Sequence, residues 1–254
     1  MCKKIKNVLI TGASSGIGEA LAVLYARSGA ENLFLSGRNA KRLKAVVERC
    51  KHFGANAEGK IIDVADKEAM KKWILECNEK ATLNLVFANA GVSTGEETSE
   101  NIYNTFNTNV MGVLNTVTPA VELYRNYPEN PIKTIAITSS IAGYHGLSAC
   151  PSYSASKACV KAYGEALRNS LRTEGIDVNV ICPGFVRSRI TDKNTCPMPF
   201  FMEAEKAADI IYRGINKNIG LIAFPWPMRL GVWLLSILPN CLSDFIYSRL
   251  PHKV

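Results

Sequence analysis

No stretch of this sequence approaches the roughly 18 to 20 consecutive apolar residues that a membrane-crossing helix requires. Behind the basic residues Lys3, Lys4 and Lys6, the apolar run Val8-Leu9-Ile10 stops at Thr11-Gly12, which is too short for a signal peptide. Eight cysteines are scattered with no Cys-x-x-Cys pair and no other metal-ligand spacing. They read as reduced, small hydrophobes of a cytoplasmic protein, and no metal site is expected. Lys and Arg number 30 against 22 Asp and Glu, a net charge of +8, yet there is no run of five like charges and no basic stretch interleaved with aromatics. Nucleic acid is therefore not an expected partner. Anionic small molecules or a negatively charged membrane surface account for the sign as well.

What is present suits one large α/β domain: 254 residues, 47% of them hydrophobic, can bury a substantial core. A short buried strand from Lys6 to Thr11 runs into Thr11-Gly12-Ala13-Ser14-Ser15-Gly16-Ile17-Gly18, a glycine-rich turn that opens a helix reaching about Ser28, with Gly29 closing it. Glycines allow a tight turn and close backbone approach, and a helix N-terminus offers free N–H groups to a phosphate. The second strand, Asn32 to Ser36, ends at Gly37-Arg38. In dinucleotide-binding folds a carboxylate here would hold a ribose diol, but no Asp or Glu occurs from Asn32 to Val47. A guanidinium suits a 2'-phosphate, so NADP(H) is expected ahead of NAD(H). Lys41 and Arg42 read equally as the exposed face of the helix from Asn39 to His52.

Strand and helix go on alternating. Ala57 to Ile62 is a strand with Asp63 at its end, Lys67 to Asn78 a helix, and Leu83 to Ala88 a strand followed by Asn89-Ala90-Gly91. A helix from about Ser99 through Val121, with a break near Thr108-Asn109, precedes the strand Lys133 to Thr138, which delivers Ser139-Ser140 to the same edge. Regular alternation implies a doubly wound, mainly parallel sheet with helices on both faces. In the helical stretch after Pro151, Tyr153 and Lys157 stand four residues apart and so share a face. A phenol titrates near 10 unless its anion is stabilised, and an ammonium one turn away would do that, making the pair a general acid/base for a carbonyl or alcohol oxygen.

Taken together, Thr11-Gly12-x-x-x-Gly16-x-Gly18, Asp63-Val64, Asn89-Ala90-Gly91, Asn109, Ser140, Tyr153-x-x-x-Lys157 and Pro183-Gly184 resemble the short-chain dehydrogenase/reductase family in its compact single-domain branch. The resemblance runs along residues 1 to about 225 and implies a Rossmann-type seven-stranded sheet. Of the two adjacent serines, the family spacing of thirteen positions before the tyrosine selects Ser140. The resemblance further implies that Tyr153 is the acid/base, that Lys157 lowers its pKa and binds the nicotinamide ribose, that Ser140 holds the substrate oxygen, and that Asn109 anchors a relay water. Asp63 and Val64 would contact adenine, Gly12, Ser14, Ser15, Gly16, Ile17 and Gly18 the phosphates, and Asn89, Ala90 and Gly91 the cofactor's far side. Pro183, Gly184, Val186 and Ser188 would cover the nicotinamide. Ala88 replaces a more usual Asn, and Ser188 a more usual Thr whose hydroxyl it keeps.

Residues 187–202 correspond to the family's substrate lid. With Pro197, Met198, Pro199, Phe200 and Phe201 this lid is apolar, suiting a small hydrophobic carbonyl or alcohol; the same residues could instead pack the core. His145 reads as a pocket wall. Residues 226–254 extend the domain with two short apolar helices split at Pro239, packing on their own domain or a twin subunit, or else lying on a membrane surface through 226–250. The expectation is an NADP(H)-dependent oxidoreductase interconverting ketone or aldehyde and alcohol, as a homodimer or homotetramer. The alternatives are a catalytically silent nucleotide-binding scaffold or sensor and, with less support, a sugar-nucleotide epimerase or dehydratase. A serine hydrolase has less support still, because Ser140 lacks the G-x-S-x-G setting.

Overall fold

The structure is a computed structural model that describes residues 4–193, 197–239 and 241–242. Short apolar runs form seven strands: β1 (Asn7–Ile10), β2 (Asn32–Gly37), β3 (Asn56–Ile61), β4 (Leu85–Ala88), β5 (Thr134–Thr138), β6 (Asp177–Pro183) and β7 (Leu221–Phe224). Every pairing between them is parallel, in the order β3-β2-β1-β4-β5-β6-β7. The helices between them are α1 (Gly16–Arg27), α2 (Ala40–His52), α3 (Lys67–Lys80), α4 (Ser99–Phe106), α5 (Gly112–Asn126), α6 (Pro151–Ser170) and α7 (Ala204–Asn216), and α8 (Trp226–Ile237) follows β7.

Because strand side chains alternate between faces, the sheet feeds two cores. Val8, Ile10, Leu33, Leu35 and Phe87 pack with Leu21 and Tyr25 of α1, Leu43 of α2 and Ile211 of α7. Leu9, Phe34 and Val86 point the other way, onto Met70, Trp73 and Ile74 of α3, Val117 of α5 and Val160 of α6. All these residues are buried, and each large side chain contributes about 1.5–3 kcal/mol by leaving water. Truncating Phe87, which is fully buried, would cost about 3–5 kcal/mol through the cavity left behind.

The helix starts follow from local chemistry. Asn39, Asp66 and Thr98 cap α2, α3 and α4 by accepting from the backbone N–H of Arg42, Ala69 and Asn101. The long helix expected from Ser99 is interrupted where the sequence suggested. Residues Asn107–Met111 form a π-helical turn between α4 and α5, the one-residue excess that re-aims side chains near functional sites. Of the two terminal helices expected, α8 is present. The second falls mostly on residues 243–254, outside the described residues.

Winding out from β1 towards β3 and then from β4 towards β7 leaves a switch point between β1 and β4, where a crevice opens beyond the carboxyl ends of the strands. Thr11 and Asn89 lace this point. The Thr11 backbone N–H donates to Phe87 O at 3.0 Å, and its hydroxyl accepts from Asn89 N (2.9 Å) and Ala90 N (3.1 Å). The Asn89 amide donates to Thr11 O, and its oxygen accepts from the Thr138 hydroxyl at the end of β5.

Candidate active site

Over this crevice lies an open cavity of about 660 Å³. Apart from Gly18 and Asn109, every residue singled out from the sequence as catalytic or cofactor-binding lines it. Both exceptions act from behind the wall. A Cβ on Gly18 would stand 2.4 Å from Gly12 O and 2.6 Å from the Asn89 amide nitrogen, so only glycine lets α1 start this close to the turn. Gly12 itself holds φ +66°, and a side chain there would meet Ala90 Cα at 2.7 Å. Asn109 is buried and is described below.

The glycine turn delivers the N-terminus of α1 to the cavity. Unlike α2, α3 and α4, this helix receives no side-chain cap from its N-cap residue, Ser15, and its first-turn residues Gly16 and Ile17 line the wall. Uncapped N–H groups at the positive end of a helix fit a phosphate. At the end of β2, exposed Arg38 stands 3.6 Å from the Asp63 carboxylate, so the two residues assigned to the adenosine end face each other. Arg42 lines the same corner and is half-buried, with its Nε enclosed and lacking a hydrogen-bond partner. It belongs to the cavity wall more than to the exposed helix face considered for it from sequence.

At the other end, Ser140 and Tyr153 meet. Both line the cavity, and the serine side chain is near enough to the phenol to favour its ionised form. Ser140 Oγ also accepts from Ala142 N at 3.1 Å and lies 3.4 Å from Pro183 O. Ser139 does different work: it is buried, and its hydroxyl donates to the backbone carbonyl of Lys157 at 2.7 Å, tying β5 to α6. Lys157, 3% exposed, donates through Nζ to Thr138 O at 3.0 Å, and its ammonium lies 5.8 Å from the centre of the Tyr153 ring.

Burial governs how both groups titrate. It pushes the Tyr153 phenol up to about 12, with neighbouring Ser140 pulling the other way, and it brings Lys157 down to about 8. The expectation that the ammonium depresses the phenol is not met in this arrangement. One turn of helix brings the two side chains together, but the ammonium is aimed at the Thr138 carbonyl, and burial is what sets the phenol's titration. At neutral pH the pair is therefore a protonated phenol beside a cationic lysine.

Asn109 stands behind this pair. The π turn aims its amide at Val92: the oxygen accepts from Val92 N at 2.8 Å, and the nitrogen donates to Val92 O at 2.9 Å and to Ser156 Oγ at 3.0 Å. Ser156 in turn donates to the backbone carbonyl of Tyr153 at 2.7 Å. A Cβ on Gly91 would lie 3.3 Å from both Asn109 Oδ1 and Lys157 Nζ, which places amide and ammonium side by side. Sequence reasoning passed over Ser156, Thr138 and Ser139 as positioning groups. Only the helical phase of Ser156 relative to Tyr153 hinted at the first.

Of the lid, Val186 is buried and pairs with Met202 in an isolated bridge, while Ser188 N donates to the Thr191 hydroxyl. Phe200 and Phe201 are exposed, the latter under the Arg187 guanidinium, so they do not pack the core. They are also not among the residues that line the cavity, and neither is half-buried His145. Residues 194–196 of the lid lie outside the described residues. Among the described residues no helix is long and apolar enough to cross a membrane.

Comparisons with known proteins agree with this geometry. The chain is 34% identical over 250 residues to an uncharacterized oxidoreductase of Myxococcus xanthus, covering 96% of this chain and 97% of that one. It is 32% identical over 209 residues to a 3beta-hydroxysteroid dehydrogenase of Mediterraneibacter gnavus, covering 80% and 74%. Among solved structures, a short-chain dehydrogenase from Sphingobium yanoikuyae in complex with NADPH superposes with a TM-score of 0.79 at 23% identity, covering 97% of each chain. A short chain dehydrogenase/reductase from Burkholderia phymatum in complex with NAD gives 0.81 at 24% identity, covering 98% of this chain and 97% of that one. The family profile described as short chain dehydrogenase matches residues 6–197, and with the parallel sheet and the residues gathered at its switch point, the chain belongs to the short-chain dehydrogenase family of oxidoreductases.

Proposed function

We propose that the protein interconverts a carbonyl compound and an alcohol with NADP(H), on a small apolar substrate, using Tyr153 as the acid/base. The carrying observation is that Ser140, Tyr153 and Lys157 stand together at one end of a cavity whose other end offers the uncapped start of α1. The wall fits a dinucleotide, with free N–H groups for the pyrophosphate, Asp63 and Val64 for adenine, and Arg38 with Arg42 for a 2'-phosphate. NADP(H) is preferred over NAD(H) because two guanidinium groups stand where a diol-binding carboxylate would end β2. The likeness to a hydroxysteroid dehydrogenase supports a hydrophobic substrate.

When bound, the nicotinamide supplies or accepts the hydride. Tyr153, protonated at neutral pH, gives its proton to the oxygen on which charge develops, and the Ser140 hydroxyl holds that oxygen by a second hydrogen bond. Lys157 keeps a positive charge close to the phenol and, beside Asn109, stands ready to return the proton. With the phenol held near 12, the protonated form that reduction requires is the populated one at pH 7, although burial also makes it a weaker acid.

The test is NADPH oxidation by purified protein against a panel of hydrophobic ketones and aldehydes, repeated with Tyr153→Phe. Loss of about 10²–10⁴-fold in kcat with unchanged cofactor binding is expected. Wild-type turnover in the variant would overturn the assignment, and no turnover of any carbonyl by the wild type would favour the nucleotide-binding scaffold.

A further inference from the structure

Helix α8 has no buried residue, although nearly all of its twelve residues are apolar. Met228, Val232 and Leu235 lie on one side at helical spacing and are half-exposed, and Met228 packs on Gly184, its sulfur 3.0 Å from where a Cβ would stand. The opposite side carries Trp226, Leu230, Trp233, Leu234 and Ile237 at i, i+4, i+7, i+8 and i+11, with exposures of 73%, 46%, 49%, 46% and 59%. One side thus leans on the domain, and the other is a continuous apolar stripe that the described residues leave exposed.

We propose that this stripe docks on an anionic phospholipid surface, so that the protein is a peripheral, in-plane membrane binder. Two observations choose lipid over a second copy of the chain. Charge is the first: from Trp226 to the C-terminus the sequence has Arg229, Arg249 and Lys253 against a single carboxylate, Asp244, and the whole chain carries +8. A second copy would add a surplus of the same sign, whereas anionic headgroups complement a chain of this charge. Composition is the second. Two tryptophans lie two turns apart on the outward side, and Trp is the residue enriched at headgroup depth, where an apolar ring carries a polar N–H. The helix leaves β7 at the carboxyl edge of the sheet and rests on Gly184, which places the stripe on the same edge as the cavity.

The inference does not depend on the redox reading and is tested apart from it. Full-length protein is mixed with vesicles of phosphatidylcholine alone, or of phosphatidylcholine with phosphatidylglycerol, and sedimented, while tryptophan emission is recorded. Trp73 is buried in the core, so a lipid-induced blue shift reports Trp226 and Trp233. The wild type should co-sediment with the anionic vesicles with a blue shift, and the triple variant Trp226→Ser, Trp233→Ser, Ile237→Ser should lose at least about tenfold in partitioning while keeping the wild-type circular dichroism spectrum. Equal sedimentation of wild type and variant overturns the proposal. So does a lipid-free dimer, seen by sedimentation velocity, that disappears in the variant while the wild type ignores vesicles, since a second copy would then cover the stripe.

Discussion

Asn109 and Ser156 are joined by a 3.0 Å hydrogen bond from the asparagine amide, and the serine passes the connection on to the carbonyl of Tyr153. Ser156 thereby links the π turn to the first turn of α6 and fixes which way the Asn109 amide faces. Replacing Ser156 with Ala leaves one buried N–H without its partner, a loss of about 1–2 kcal/mol if it falls on the reacting geometry. We expect kcat to drop about tenfold, with KM for the cofactor unchanged and Thr at the position restoring part of the rate. An unaltered kcat in the Ala variant, measured by NADPH oxidation, would reduce Ser156 to a packing residue.

Lys157 gives a prediction in which stability and activity diverge. Its folded pKa, about 8, lies below the ordinary lysine value of 10.5, so the fold disfavours the charged form. That cost is fully present below about pH 8 and fades as pH rises toward 10.5, where the unfolded lysine also loses its proton. Lys157→Met should therefore be more stable than the wild type at pH 7, by about 1–3 kcal/mol, with the gap narrowing above pH 8, while turnover is lost. Urea denaturation at pH 7 and pH 10 is the measurement; a variant less stable than the wild type at pH 7 contradicts the burial argument.

Arg38 should decide cofactor choice. Changing it to Asp puts a carboxylate at the end of β2 and removes the guanidinium facing Asp63. We expect kcat/KM for NADPH to fall about 10- to 100-fold and that for NADH to hold or rise, in keeping with the worth of a charge-assisted phosphate contact. Equal efficiency of the wild type with both cofactors would remove the basis for the preference.

Gly18→Ala tests the close approach of turn and helix. With a Cβ forced to 2.4 Å from Gly12 O, something must shift, and overpacking of this kind costs about 1–3 kcal/mol. A lower melting temperature together with weaker NADPH binding in fluorescence titration is expected; wild-type values for both would show that the turn gives way freely.

Much of this was legible in the sequence, for reasons that particular residues make plain. Apolar runs such as Leu33-Phe34-Leu35 between turn residues mark strands, and Gly12, Gly16 and Gly18 mark a turn that only glycine can make. Tyr153 and Lys157 announce a shared helix face through their spacing alone. Spacing could not reveal what that face is buried against. The phenol's upward shift comes from desolvation, and the ammonium's aim at Thr138 O comes from the neighbouring strand; both are long-range properties. The break near Thr108-Asn109 was legible, but its π geometry was not, since that shows only once Val92 and Ser156 are seen to hold Asn109. The sequence leaves open whether the lid aromatics face substrate or core, because hydrophobicity does not say which way a loop faces; both are exposed.

Ser139, the residue just after β5, still reaches the neighbouring strand: its N–H donates to Ile181 O at 2.7 Å while its hydroxyl bolts down the helix at Lys157. Its neighbour, one step beyond the rungs, is turned to the phenol. The position of the oxygen-holding hydroxyl is thus counted off from the sheet itself, and a slip of β5 against β6 by one residue would exchange the bolt and the working group. Sheet pairing at this edge therefore acts as the ruler for the chemistry, so that lengthening or shortening the chain by one residue between Thr138 and Tyr153 should silence the enzyme even where the fold survives.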